Sequence, residues 1–365
     1  GRDALVWVGS NAGMMHAFRA KVDNLNATPP EAGLVEQIAI IPPSLLWKQV
    51  TLYNNFVEDP DFPSGQPPDI LEHIYGVANS FRFGDVYDKT AATYRTVGIV
   101  TLGPGGKDIV AMDVSSVPRP DASSYPAAPV TILWTKASGA TSSATTLEAL
   151  QETWSIPAMA PVSSDTWRLV VGSGFNPTNT AANQIANTNF LAPRTYVLDP
   201  VNGDLLESNA MTSLSSPAPF VGNQAFADAV LFDPKAKTYQ DDNLARVGLQ
   251  ADLNGRIWFL WENSENSGTF NKSEIGFDVS SDVSPVQSQP LYYNPAASGY
   301  GVPAAGCVAY AFGSGALYER SSAITGPSVG TSPNFVPRLY VATHGKTLWK
   351  SGSPRVPAAN IKSKA

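Results

Sequence analysis

The sequence predicts an all-β fold, a β-propeller of about seven irregular blades, and three observations carry that expectation. A strand–turn–strand pattern recurs five times along the 365 residues. The turns, and the stretches between the copies, are rich in helix breakers, with 29 glycines and 30 prolines in all. Only 15% of residues are charged, too few for a coiled coil or helical bundle with its solvated faces.

The copies justify the strands in order. The first runs from Leu5 to Phe18, and the second from Thr96 to Val114, broken at Gly103–Gly106. The third is split into Trp167–Gly172 and Thr195–Asp199 by a polar insert; the fourth is Arg246–Trp261 and the fifth Arg338–Trp349. Glycine and asparagine supply the positive φ angles that tight antiparallel turns require. Valine, isoleucine and aromatic residues flank them because they fit a pleated, buried surface. Asp199–Asp204, with its Asn-Gly pair, reads as another such turn. At about 40–50 residues per blade the copies lie too far apart, so each interval must hold a degenerate blade or an insertion.

One domain is expected over residues 1–351, with a long insertion at 19–95, the N- and C-terminal strands meeting in one blade, and a flexible tail at 352–365. Two short helices are expected. The first is Pro43–Tyr53, with Ser44 as N-cap and Leu45, Leu46, Gln49 and Leu52 at helical spacing; the second is Thr145–Glu152.

Composition removes several functional classes. The net charge is −7 and basic residues never cluster beyond isolated pairs, so no nucleic-acid face is expected. A hydrophobic content of 43% is too high for a disordered chain. No apolar run approaches the roughly 20 residues of a membrane-spanning helix. Cys307 stands alone, which excludes an intramolecular disulfide and a thiolate metal cage. Gly1-Arg2-Asp3 passes directly into a strand, which reads as a piece of a longer polypeptide with any export signal upstream.

The motifs resemble those of a known family, the C-terminal propeller of the type IV pilus tip adhesin and assembly factors (PilY/PilC). Val8–Phe18 resembles the family's opening VGxNDGMxHAF, and Glu36–Pro42 its ExxAxxP. His73–Val77, Gly84-Asp85-Val86 and Tyr94–Val97 are similar to HxYxV, GDV and WRTV, with tyrosine for tryptophan. Leu102–Val114, Arg168–Asn176 and Tyr196–Asp199 follow in the family's order. The resemblance implies a non-enzymatic, extracellular component of the pilus tip that is exported through the periplasm. Its partners would be minor pilins and a host-cell or abiotic surface. It would support pilus assembly, oppose retraction and mediate adhesion through propeller loops. A docking module for minor pilins alone is the narrower alternative.

The same resemblance implies a calcium loop before the strand at Val247. Calcium takes six to eight oxygen ligands with several carboxylates, but here the register places Thr238, Gln240, Asp242 and Arg246 on the side-chain positions. The loop is degenerate, and only Asp241, Asp242 and Asn243, with Asp233, could hold a metal in a changed register. Arg246 is expected instead to pair with Asp241 or Asp242 and to organise the loop without an ion, so no cofactor is expected.

Catalytic constellations are poor. His16, His73 and His344 lack metal-ligand spacing. Gly103–Asp108 fails the phosphate-loop pattern, because Thr101 stands at the first glycine position and Asp108 follows Lys107. Gly172-Ser173-Gly174 and Gly313-Ser314-Gly315 lack the frame of a nucleophile elbow. A quinoprotein-type dehydrogenase shares the Val-Gly-Ser-Asn repeat and is the enzymatic alternative; by what that family implies, its vicinal disulfide is ruled out by the single cysteine. The binding surface is therefore expected in loops, with Glu58, Asp59 and Asp61 first and Asn263 and Glu265 second.

Overall fold

The computed structural model describes residues 4–20, 35–51, 74–117, 129–176, 193–211, 225, 227–233, 244–253, 255–261, 269–270, 272–278, 291, 293–300, 307–314, 338–344 and 362–364. These residues form an almost entirely β protein whose strands fall into five sheets. Sheet 1 holds β1 (Leu5–Gly9), β2 (Met15–Arg19) and β3 (Glu36–Ile40). Sheet 2 holds β4 (Phe81–Asp88), β5 (Thr93–Thr101), β6 (Asp108–Asp113), β7 (Thr131–Gly139) and β8 (Thr146–Glu148). Sheet 3 is β9 (Ala158–Ser163), β10 (Thr166–Gly172), β11 (Arg194–Leu198) and β12 (Leu205–Ala210). Sheet 4 is β13 (Ala229–Phe232), β14 (Val247–Ala251), β15 (Arg256–Trp261) and β16 (Lys272–Asp278). Sheet 5 is β17 (Ala296–Tyr300), β18 (Cys307–Ser314), β19 (Arg338–His344) and β20 (Lys362–Lys364).

Each sheet is an antiparallel meander in chain order, β8 alone running parallel to its neighbour. This is the blade pattern of a propeller. The first, second, third and fourth sequence repeats are the hairpins β1–β2, β5–β6, β10–β11 and β14–β15. The turn at Asp199–Asp204 also forms as expected: Asp199 Oδ1 accepts the amides of Val201 (2.8 Å) and Asn202 (3.2 Å), and Gly203 takes φ +76°.

The sheets pack face to face in sequence. Met15 of sheet 1 meets Val100, Val110 and Met112 of sheet 2. Val97, Ile99 and Ala111 of sheet 2 meet Leu169, Val171 and Tyr196 of sheet 3. Val170 and Val197 reach Ala229 and Leu260 of sheet 4, and Phe259 packs edge-on against Tyr310 of sheet 5 at 5.5 Å. With both faces covered, the inner strands read as continuous apolar runs, as in Arg256–Trp261, where every residue is buried.

Several expectations change. Among the described residues β1 and β20 lie in different sheets, so the terminal strands do not share a blade. The stretch 19–95 contributes β3 and β4 and enters β5, and the segment 352–365 contributes β20. The helix expected at Thr145–Glu152 is instead β8, because β-branched Thr145 and Thr146 extend the chain and Ala149 turns it at φ +63°. At Pro43 only a 3-10 turn, Pro43–Leu45, precedes helical residues 48–51. Its N-cap is Pro42, with no side-chain cap, rather than Ser44.

At one end of sheet 2, Arg95 bridges three strands, lying 2.7 Å from Asp88 and 2.9 Å from Asp113. Burial by itself raises Asp88, but the amides of Ala91 and Thr90, with the Arg95 guanidinium, outweigh it and hold the carboxyl below its ordinary range. Asp113 is likewise raised by burial but depressed overall by Ser115 and Arg95. A carboxylate depressed on folding contributes stability that is complete above its unfolded pKa of about 3.9 and is lost as pH falls through the folded value. Arg95→Met is expected to move the acid-unfolding midpoint, followed by circular dichroism, to higher pH. An unchanged midpoint would show that the triad is not what acid breaks.

Candidate functional site

The degenerate metal loop connects β13 to β14. Asp241, Asp242 and Asn243, and with them the expected pairing of Arg246 with Asp241 or Asp242, lie outside the described residues. Arg246 meets Asp233 at 3.2 Å, with side-chain exposures of only 5% and 3%. Its backbone N–H donates to Phe232 O (3.2 Å), and its Nη1 donates to Leu244 O (3.1 Å). The guanidinium thus ties the last residue before the loop to the first strand after it. Among the described residues no group of three or more His, Cys, Asp or Glu side chains is placed to hold a metal ion.

The following turn is organised by Asp252, which is fully buried. Its carboxylate accepts the Arg256 amide (2.9 Å) and the Trp258 indole N–H (2.8 Å). Gly255, at φ +86°, completes the turn. Asp252 and Gly255 therefore serve hairpin geometry.

Of the three histidines, His73 lies outside the described residues, and His344 occupies β19 opposite Val308. His16 sits between Glu36 Oε1 (2.7 Å from Nδ1) and Ser10 Oγ (3.2 Å from Nε2). That order resembles a hydrolase triad, but the Ser10 hydroxyl also donates to Met14 O (3.2 Å). Ser10 O in turn accepts the amides of Gly13 and Val77, both at 3.0 Å. These bonds fasten the β1–β2 turn to β3 and to the chain at Val77, which accounts for all three side chains.

The glycine-rich turns are likewise packing devices. A Cβ at Gly105 would lie 1.5 Å from Gly76 O, so the backbones touch there. Lys48 Nζ donates to Gly105 O and to Tyr75 O (3.5 Å), tying this turn to the helical segment. Asp108, beside it, is raised above its ordinary value by burial, against the pull of Ser44 and Lys48. Ser173 is buried: its backbone N–H donates to Arg194 O and its Oγ accepts the Arg194 amide, so no nucleophile is presented.

The expected loop residues Glu58, Asp59, Asp61, Asn263 and Glu265 lie outside the described residues. Sequence reasoning missed a groove of about 710 Å³ between β1 and the chain that leads into β4. Leu5, Trp7 and Gly9 form one side, and Val77, Asn79, Phe81 and Phe83 the other. Trp7 lies 6.3 Å from Phe81 and 5.7 Å from Phe83, which stack on each other at 6.2 Å. Nearby, the short helical segment exposes Leu46, Trp47 and Val50, Trp47 to 70%. Trp7 reads in sequence as blade packing; only its spatial neighbours show that it lines a groove.

No family model matches the chain. It is 26% identical over 286 residues to the type IV pilus biogenesis factor PilY1 of Pseudomonas aeruginosa (strain UCBPP-PA14), covering 78% of this chain and 19% of the relative. It is 31% identical over 177 residues to a PilY1 homolog of Xylella fastidiosa (strain Temecula1), covering 48% of this chain and 11% of the relative. The chain thus spans a fifth or less of the length of these curated relatives. The crystal structure of the P. aeruginosa PilY1 C-terminal domain matches with a TM-score of 0.58 and 17% identity, covering 94% of this chain and 57% of that one. At that identity the likeness is one of fold.

Proposed function

Because the chain is homologous to PilY1-type type IV pilus biogenesis factors, we propose that it acts as a non-enzymatic component of the type IV pilus tip. In this role it supports pilus assembly, opposes retraction and contacts host-cell or abiotic surfaces from an extracellular position. The observation that carries the reading is the sequence match to PilY1 over 78% of the chain. Two structural features are compatible with it. Blades packed on both faces make a rigid scaffold on which connecting segments vary. Among the described residues no helix is long and apolar enough to cross a membrane.

The test is genetic. Deleting the coding region for these residues in its native, piliated host should abolish or sharply reduce surface pili and twitching, and should be complemented in trans. If retraction is the process opposed, pili should return when the retraction ATPase is also removed. Normal pili in the deletion strain would overturn the reading. Restored pili with unchanged surface attachment would confine the domain to docking minor pilins.

A further inference from the structure

Three hydrogen bonds run in a line through the side chains that brace the β1–β2 turn. Glu36 Oε1 lies 2.7 Å from His16 Nδ1, His16 Nε2 lies 3.2 Å from Ser10 Oγ, and Ser10 Oγ lies 3.2 Å from Met14 O. The two ends of the line, a carboxylate and a carbonyl, accept only. Each of the three bonds therefore needs a hydrogen from the two groups between them. The Ser10 hydroxyl brings one, and a neutral imidazole brings one. Two hydrogens cannot make three bonds.

One added proton completes the count. When neutral His16 donates Nδ1–H to Glu36, it turns a bare Nε2 to Ser10, whose single O–H must serve either that nitrogen or Met14 O. A proton on Nε2 lets the ring donate at both ends, and the hydroxyl then donates to Met14 O. The added charge lies beside a carboxylate at 2.7 Å. A proton on Glu36 would satisfy the same count, but imidazole is ordinarily the stronger base. Among the described residues Glu36 is the ionisable partner of the ring. β1 carries no ionisable side chain, and Glu36 is the only one on β3. Arg19 alternates onto the opposite, buried face of β2. Beyond the turn, Lys48 is engaged with Gly105 O and Tyr75 O.

We propose that His16 is a proton-operated clamp, whose protonated ring completes the line from Glu36 to Met14 and fastens the β1–β2 turn to β3. Loss of the proton removes one hydrogen bond and one ion pair from that line. The turn in its turn holds the chain beside it. Ser10 O accepts the Gly13 and Val77 amides, and a Cβ on Gly76 would lie 2.7 Å from that oxygen. A proton held by the folded chain more tightly than by the unfolded one adds stability on the acid side, and the increment is lost as pH rises. None of this depends on the reading of the chain as a pilus component.

The test begins with the ring itself. The whole chain holds three histidines, so selective 15N labelling of histidine gives three sets of ring signals. Those of His16 are assigned by their loss in His16→Gln or, should that variant not fold, by elimination with His73→Gln and His344→Gln. At about pH 8 the ring should carry hydrogen on Nδ1 alone, and at about pH 5.5 on both nitrogens. Stability is read by urea denaturation at the same two values. On acidification the unfolding constant of the unmodified chain should fall about tenfold further than that of His16→Gln. Ser10→Ala removes the acceptor at Nε2, and Glu36→Gln removes the charge while keeping an acceptor. Each should shrink the difference to about threefold or less. A ring with its only hydrogen on Nε2 at about pH 8 overturns the proposal. So does an acid response as large in Ser10→Ala and Glu36→Gln as in the unmodified chain.

Discussion

Arg246→Met is expected to lower the unfolding free energy by about 3–5 kcal/mol, because it takes the opposite charge away from the buried Asp233 carboxylate. Both side chains are at most 5% exposed, and they face each other at 3.2 Å across the base of the β13–β14 connection. Removing one charge takes a close counter-charge from the other in a desolvated position, whereas removing both leaves a packing problem only. Arg246→Met combined with Asp233→Leu should therefore recover most of the loss, as measured by urea denaturation. Calcium separates the two ways of organising this loop. An ion that binds only the folded state raises its stability in proportion to the logarithm of concentration over Kd. With an arginine in place of a carboxylate, millimolar calcium should leave the melting temperature of the unmodified chain unchanged. A clear rise would show that the loop still binds the ion and that the Arg246–Asp233 pair is secondary.

Gly174→Ala is expected to cost about 3 kcal/mol or more, or to prevent folding altogether, for two reasons that add. The residue sits at φ +86°, where an L side chain is strained. A Cβ there would also lie 1.9 Å from Glu152 O. That carbonyl cannot retreat, since it accepts the Phe175 amide at 2.8 Å while Glu152 N donates to Phe175 O at 2.9 Å. This backbone bridge, with Gln151 N on Ser173 O, joins the end of β10 to the segment following β8 and so locks sheet 2 to sheet 3. Gly84→Ala is the control. Its Cβ would crowd the terminal methyl of Met159, 2.6 Å away, at the far end of a flexible side chain, its other neighbours lying at ordinary contact distance. It should cost no more than about 1 kcal/mol. Equal losses in the two variants would mean that helix-breaker content, not backbone contact, explains the glycines.

Much of the architecture was legible because hairpins are local. The Gly-Asn-Asp turns and the flanking valines and aromatics are encoded within stretches of under 20 residues, and four of the five repeats appear as hairpins, three of them central in their sheets. The outer strands were less visible. β3 and β4 sit in what reads as a single insertion, and β8 reads as a helix, because edge strands are short and take their shape from the hairpin they join. The candidate metal site was half legible. The misplaced arginine is plain at position 246, but its partner Asp233 is thirteen residues away and only the pairing of β13 with β14 brings the two together. The groove beside β1 had no signal in sequence at all, since Trp7 and Phe81 are far apart along the chain and each reads as ordinary blade packing.

By itself, then, the amino-acid sequence determined the class of fold, the central hairpins and the likeness to the pilus factors, since these rest on turn chemistry, periodicity and motif order along the chain. The tertiary structure alone decided that Asp233 meets Arg246 and that Ser10, His16 and Glu36 brace a turn. Ion pairing, burial and strand neighbours depend on distances through space, and residues remote in sequence acquire those distances only when the sheets pack.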